Sequence, residues 1–92
     1  MKKIEIIIES VHVRVVVACL QKLQVPGYSI MRDVVGRGAH GDHDGRELSD
    51  VAHNSYVVIV CDDQQAKAIG LAMAEKTRKY GGICLISDVT RL

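Results

Sequence analysis

Between residues 36 and 55 the chain reads GRGAHGDHDGRELSDVAHNS, and two groupings in it have residue types that could do chemistry. His40, Asp42, His43 and Asp44 stand close together, with His53 further on. Imidazoles and carboxylates at this density can ligate a divalent cation. Ligands on a glycine-rich loop are not pre-positioned, however, and a solvated loop of turn-forming residues has the same composition. The second grouping is Gly36-Arg37-Gly38. A glycine pair at a strand exit can present backbone N–H groups to phosphate, and Arg37 adds a charge-assisted contact. It is also what a plain tight turn looks like: Gly41 completes the spacing G-x-G-x-x-G, but no helix follows. The chain has no GxSxG, no GxxxxGK[ST] and no HExxH. No spacing fixes an acid/base pair in a cleft, so a non-enzymatic protein is expected.

The elements that must position these residues follow from periodicity. KIEIIIE (3–9) places Ile4, Ile6 and Ile8 on one face and Glu5, Ile7 and Glu9 on the other, which predicts a strand. Ser10 is placed to cap a helix over 11–23, in which Val13, Val16, Val17, Leu20 and Leu23 recur at helical spacing up to a Pro26-Gly27 stop. YSIMRDVV (28–35) predicts a second strand, and 37–55 a long flexible loop, since so many polar residues lack a core pattern. The continuous apolar run YVVIVC (56–61) predicts a strand covered on both faces. Asp62-x-x-Gln65 reads as a capping box for a second helix, with Ala66, Ile69, Ala72, Met73 and Tyr80 inward and Gly81-Gly82 as its stop. ICLISDV (83–89) is the fourth strand. This βαββαβ order predicts an α+β, ferredoxin-like fold: a four-stranded antiparallel sheet with both helices on one face. Because the other face carries apolar residues too, another subunit is expected to cover it.

Length and composition bound the rest. Ninety-two residues make one domain, 1–92, and 48% apolar content is ample for a core. Twelve Lys+Arg against eleven Asp+Glu, with no Trp or Phe, excludes both a basic footprint and a base-stacking platform, so nucleic acid is not an expected partner. Glu5 and Glu9 interrupt the apolar stretch a signal peptide needs, and no run is long enough to insert into a membrane. Cys19, Cys61 and Cys84 form no CxxC pair, which fits reduced, buried thiols and a cytoplasmic location.

Taken in order, these pieces resemble the PII-like signal-transduction family. MKKIEIII resembles its first strand, Val25-Pro-Gly27-Tyr-Ser29 its turn into strand two, Gly36-Arg-Gly38 the start of its T-loop, and VVIVCDD (57–63) its third strand entering helix two. The resemblance spans nearly the whole chain and implies a homotrimer with nucleotide sites between subunits and a T-loop that contacts a target protein. Carried over residue by residue, it places Ile7, Gly27, Ser29, Gly36, Arg37, Gly38, Ile59, Val60, Gly81, Gly82 and Arg91 at nucleotide-site positions. The family's B-loop carries a lysine after its glycines; here Gly81-Gly82 run straight into Ile83. That departure favours ADP or AMP over ATP. Residues 41–52 contain no tyrosine to accept a uridylyl group. The chain thus looks closest to the inorganic-carbon-linked members, associated with carboxysomes or bicarbonate transporters, which implies bicarbonate as a further ligand and a transporter or carbon-metabolism component as target. Arg46 is the candidate contact for that anion or target. The alternative is a CutA-like trimer binding a divalent metal through His40, His43 and His53.

Overall fold

A computed structural model describes residues 1–35 and 53–92. Strand β1 (Lys2–Glu9) leads through a one-turn 3-10 segment (Ser10–His12) into helix α1 (Val13–Lys22). Strand β2 (Ser29–Val34), strand β3 (Asn54–Cys61), helix α2 (Asp63–Tyr80) and strand β4 (Ile83–Asp88) follow. The strands form one sheet in the order β2-β3-β1-β4, every neighbouring pair antiparallel. This is the ferredoxin-like α+β arrangement expected from the sequence.

The alternation in β1 decides which side is dry. Ile4, Ile6 and Ile8, with Val57 and Ile59 opposite, are closed off by Val13, Val16 and Leu20 of α1 and by Ala66, Ile69 and Met73 of α2. Both helices therefore lie on the same face. At roughly 1.5–3 kcal/mol for each large aliphatic side chain buried, this one cluster supplies most of the favourable free energy of the monomer.

Several local expectations shift. Ser10 does not cap α1: His12 holds that position without a side-chain bond. The Ser10 hydroxyl instead lies 2.7 Å from that of the fully buried Ser55, and its N–H donates to the His53 carbonyl at 2.6 Å. Two polar groups that must leave water pair with each other, and the pair ties the end of β1 to the start of β3. Accordingly β3 begins at Asn54, two residues before the apolar run, and Asn54 and Ser55 are strand rather than loop. Helix α1 stops at Lys22 with Gln24 at φ 57°, so the left-handed residue is Gln24 and not Gly27. Leu23, expected inward, is exposed. Strand β2 is bulged: its register shifts between Met31 and Val34, with Asp33 at φ 59°.

Helix α2 follows expectation at both ends. The Asp62 carboxylate accepts from the Gln65 N–H at 2.7 Å, and the Gln65 side chain accepts from the Asp62 N–H at 3.3 Å. At the other end Gly81 takes φ 83°. Its N–H and that of Gly82 both donate to the Thr77 carbonyl, at 2.8 and 2.9 Å. Thr77 is a buried residue that the apolar pattern of the helix does not reveal; its hydroxyl is satisfied by the carbonyls of Met73 and Ala74, each at 3.1 Å. Among the described residues no helix is long and apolar enough to cross a membrane.

Candidate functional site

The face of the sheet away from the helices is where the unassigned residues gather. Strand register puts Ile7 beside Tyr56 and Ile83, Glu5 beside Val58 and Leu85, Lys3 beside Val60, and Met31 beside Tyr56. Met31, Val60, Ile83 and Leu85 are each about half exposed. At the centre stands a small polar cluster: the Tyr56 hydroxyl donates to Glu5 Oε1 at 2.6 Å, and Lys3 Nζ lies 3.8 Å from Glu5 Oε2. Donation to the carboxylate holds the Tyr56 phenol above its ordinary value. Neither the Tyr56–Glu5 bond nor the pairing of Lys3 was read from sequence, although the period of two in β1 and β3 puts all three residues on this face.

The expected nucleotide residues fall at two opposite ends of this face. At one end, Gly82 lies so close to β1 that a Cβ there would stand 2.5 Å from the Ile7 carbonyl oxygen. Ile7, Gly81 and Gly82 are thus neighbours. At the other end, Arg91 and Val60 line an open depression with Met1, Val89 and Thr90. The chain after β4 continues alongside the start of β1, where the Val89 N–H donates to the Met1 carbonyl at 3.1 Å. Ser29, paired with Val58, and Gly27 just before it lie toward this second end. A Cβ on Gly27 would meet open space. Four residues of strand separate the two ends, about 13 Å, and the Glu5 carboxylate stands between them.

The geometry limits what Ile59 and the Gly81–Gly82 pair can offer a ligand. Ile59 is fully buried beneath the helices, on the face opposite the open one, so its side chain reaches no surface site. The N–H groups of Gly81 and Gly82 are already spent on the Thr77 carbonyl. They are helix-terminating donors, with Gly82 also demanded by its approach to Ile7, and do not form a phosphate cradle in this conformation. Gly36, Arg37, Gly38, His40, His43 and Arg46 lie outside the described residues. His53 is described: its side chain is exposed and its φ is 83°. No group of three or more His, Cys, Asp or Glu that could hold a metal ion occurs among the described residues.

The cysteines are all free, and only Cys61 is buried. Desolvation pushes the Cys61 and Cys84 thiols above their ordinary values, keeping both protonated at neutral pH.

The fold is a ferredoxin-like sheet with one face sealed by helices and one apolar face left open. The family of nitrogen regulatory protein P-II matches residues 1–92, and the chain belongs to it. That match places the chain in the P-II family rather than a CutA-like one. Among solved structures, CPII from Thiomonas intermedia K12, a nitrogen regulatory PII-like protein bound to ADP, AMP and bicarbonate, superposes with a TM-score of 0.77. Identity is 20% over 96% of this chain and 88% of that one. CPII bound to ADP and bicarbonate gives 0.76, with 25% identity over 96% and 84%. A PII-like signaling protein from Thermus thermophilus gives 0.70, with 22% identity over 96% and 84%. No curated protein matches the chain in sequence.

Proposed function

We propose that this chain is a non-enzymatic PII-like regulator that binds ADP or AMP, together with bicarbonate, in clefts between the subunits of a homotrimer. The observation that carries this reading is the division of the candidate residues between two ends of one sheet face. Laid along a single protomer, a nucleotide would run its phosphates over the Glu5 carboxylate. Placed between protomers, it meets Ile7 and the Gly81–Gly82 turn of one subunit and Gly27, Ser29, Val60 and Arg91 of the next. The same packing covers the apolar open face, and the Tyr56–Glu5–Lys3 cluster enters it already paired.

The preference for a short phosphate chain follows from the donors left over. With the Gly81 and Gly82 N–H groups bonded to Thr77 and no lysine after them, the phosphates depend on Arg91 and Arg37. Two guanidinium forks suit one or two phosphates and add nothing for a third. The T-loop of residues 37–53, with Arg46 as its contact for bicarbonate or target, carries the output to a transporter or a component of carbon metabolism in the cytoplasm. Neighbours in the fold bound to ADP, AMP and bicarbonate support this ligand set.

Calorimetry with AMP, ADP and ATP tests the reading. AMP or ADP binds at least as tightly as ATP, and Arg91→Ala loses about tenfold or more in affinity, as expected for one charge-assisted contact. Arg37→Ala should lose less, because Arg91 follows within two residues of the Val89–Met1 bond that ties the chain to β1, and a contact held near a fixed strand costs less ordering on binding. Unchanged affinity in Arg91→Ala would remove the phosphate site from this end of the sheet.

A further inference from the structure

The outward side of the helix layer carries a feature that neither nucleotide binding nor the loop accounts for. Between α1 and α2 runs a groove of about 390 Å³ lined by Arg14, Val15, Ala18, Cys19, Lys22 and Lys76. Its floor is apolar: Val15, Ala18 and Cys19 form one stripe on α1, and Val11, a turn earlier, is 73% exposed. A solvent-facing helix ordinarily carries polar residues there. Its rim is cationic. Arg14 and Lys22 stand at opposite ends of α1, eight residues or about 12 Å apart along the axis, and Lys76 reaches in from α2. Residues 10–24 contain no acid at all. Among the described residues no carboxylate pairs with Arg14 or Lys22, while Lys76 has only its exposed neighbour Glu75 at 3.7 Å.

From this juxtaposition we infer that the groove is a docking site for an acidic amphipathic helix of a partner protein. An apolar floor between two cations fits a helix with carboxylates two turns apart and aliphatic side chains between them, which is the helix-in-groove mode of recognition. The charges steer and orient, and the floor supplies the area. An anionic membrane would meet the same charges, but the surface is concave and its lining has no Trp, Tyr or Phe to anchor at an interface. The groove lies on the opposite side of the sheet from the face assigned to the trimer, so three copies would be displayed outward.

The test uses the full chain labelled with nitrogen-15 and a capped, alanine-rich helical peptide of about sixteen residues, carrying two glutamates eight positions apart with leucines between. Amide shifts are expected at Val15, Ala18, Cys19, Lys22 and Lys76 while the open sheet face stays unchanged. Affinity should fall roughly tenfold in Arg14→Ala/Lys22→Ala, in the glutamine version of the peptide and at high salt, the size expected for two exposed ion pairs. Both residues are exposed, and the variant's own spectrum reports that it is folded. Equal binding of the glutamine peptide, shifts elsewhere, or no shift at millimolar peptide would overturn the proposal. So would retention of the protein on phosphatidylglycerol vesicles without peptide binding. None of these outcomes bears on ADP affinity, so the docking site and the nucleotide site stand or fall separately.

Discussion

The two faces of the sheet are built from the same strands and from similar residues, yet they are finished differently. On the helix side Ile4, Ile6, Ile8, Val57 and Ile59 are sealed within the chain. On the open side Val60, Ile83 and Leu85 are left about half exposed and Ile7 and Val58 partly so, with a tyrosine–glutamate–lysine cluster at their centre. An apolar residue stabilises a fold only against whatever removes it from water. On one face that is the chain's own helices; on the other, under the proposed function, it would be a further copy of the chain. A chain this short buries a smaller share of its surface than a larger domain does, so the proposed assembly would add stability that a monomer lacks.

Substitutions on the two faces should therefore fail in different ways. Ile6→Ala opens a cavity in the closed core and should cost about 2–5 kcal/mol, read from the shift of a denaturation midpoint. Leu85→Asp on the open face should leave a folded chain by circular dichroism but dissociate the trimer in light scattering, because an unpaired carboxylate would be buried at the interface. A Leu85→Asp protein that remained trimeric would show that the open face is not the interface.

The junction between α2 and β4 sharpens the comparison, since there a glycine has been given two roles. Gly82→Ala should destabilise by about 1–3 kcal/mol, because the added methyl would overlap the Ile7 carbonyl, a backbone atom that cannot step aside. Gly81 has open space around it and is strained on substitution only through its φ. If Gly82→Ala unfolded no earlier than wild type, the close approach would not be a constraint in solution.

The smallest expected effect lies at the centre of the open face. Tyr56→Phe removes the bond to Glu5 and should cost at most about 1 kcal/mol. The sign of its pH dependence is fixed by the direction of the shift. The Tyr56 phenol is raised in the folded protein, so its contribution is complete below the free tyrosine value of about 10 and is lost as the pH rises through the higher folded value. Wild type and Tyr56→Phe should thus differ at neutral pH and converge in strong alkali. A constant difference across that range would mean that the hydroxyl stabilises through some other contact.

Much of the fold was legible because period and punctuation agreed. The alternation of β1, the capping box at Asp62-Gln65 and the Gly81 stop each pointed to the element the structure contains. What was misread turned on pairings between distant parts of the chain. Ser10 has the right type for a helix cap, but its partner is Ser55, 45 residues away. Ile59 and Val60 looked like one edge, yet a strand turns adjacent side chains to opposite faces, and only Val60 is on the open one. Gly81 and Gly82 were legible as a helix stop, but not that both of their N–H groups are held by the Thr77 carbonyl. The stripe of Val15, Ala18 and Cys19 carried no signal as a surface, since Val-rich helices read as core.

The central claim is that each nucleotide site is shared by two subunits, and subunit mixing tests it most directly. Gly81→Asp places a carboxylate in open space at the Ile7 end, and Arg91→Glu reverses the cation at the Val60 end. Each variant alone should form trimers that fail to bind ADP. Refolded together, they should regain ADP binding at one site in every mixed trimer, where an intact end of one chain meets an intact end of the other. Mixed trimers that bind no ADP, or a single variant that binds as wild type does, would contradict a site built between subunits.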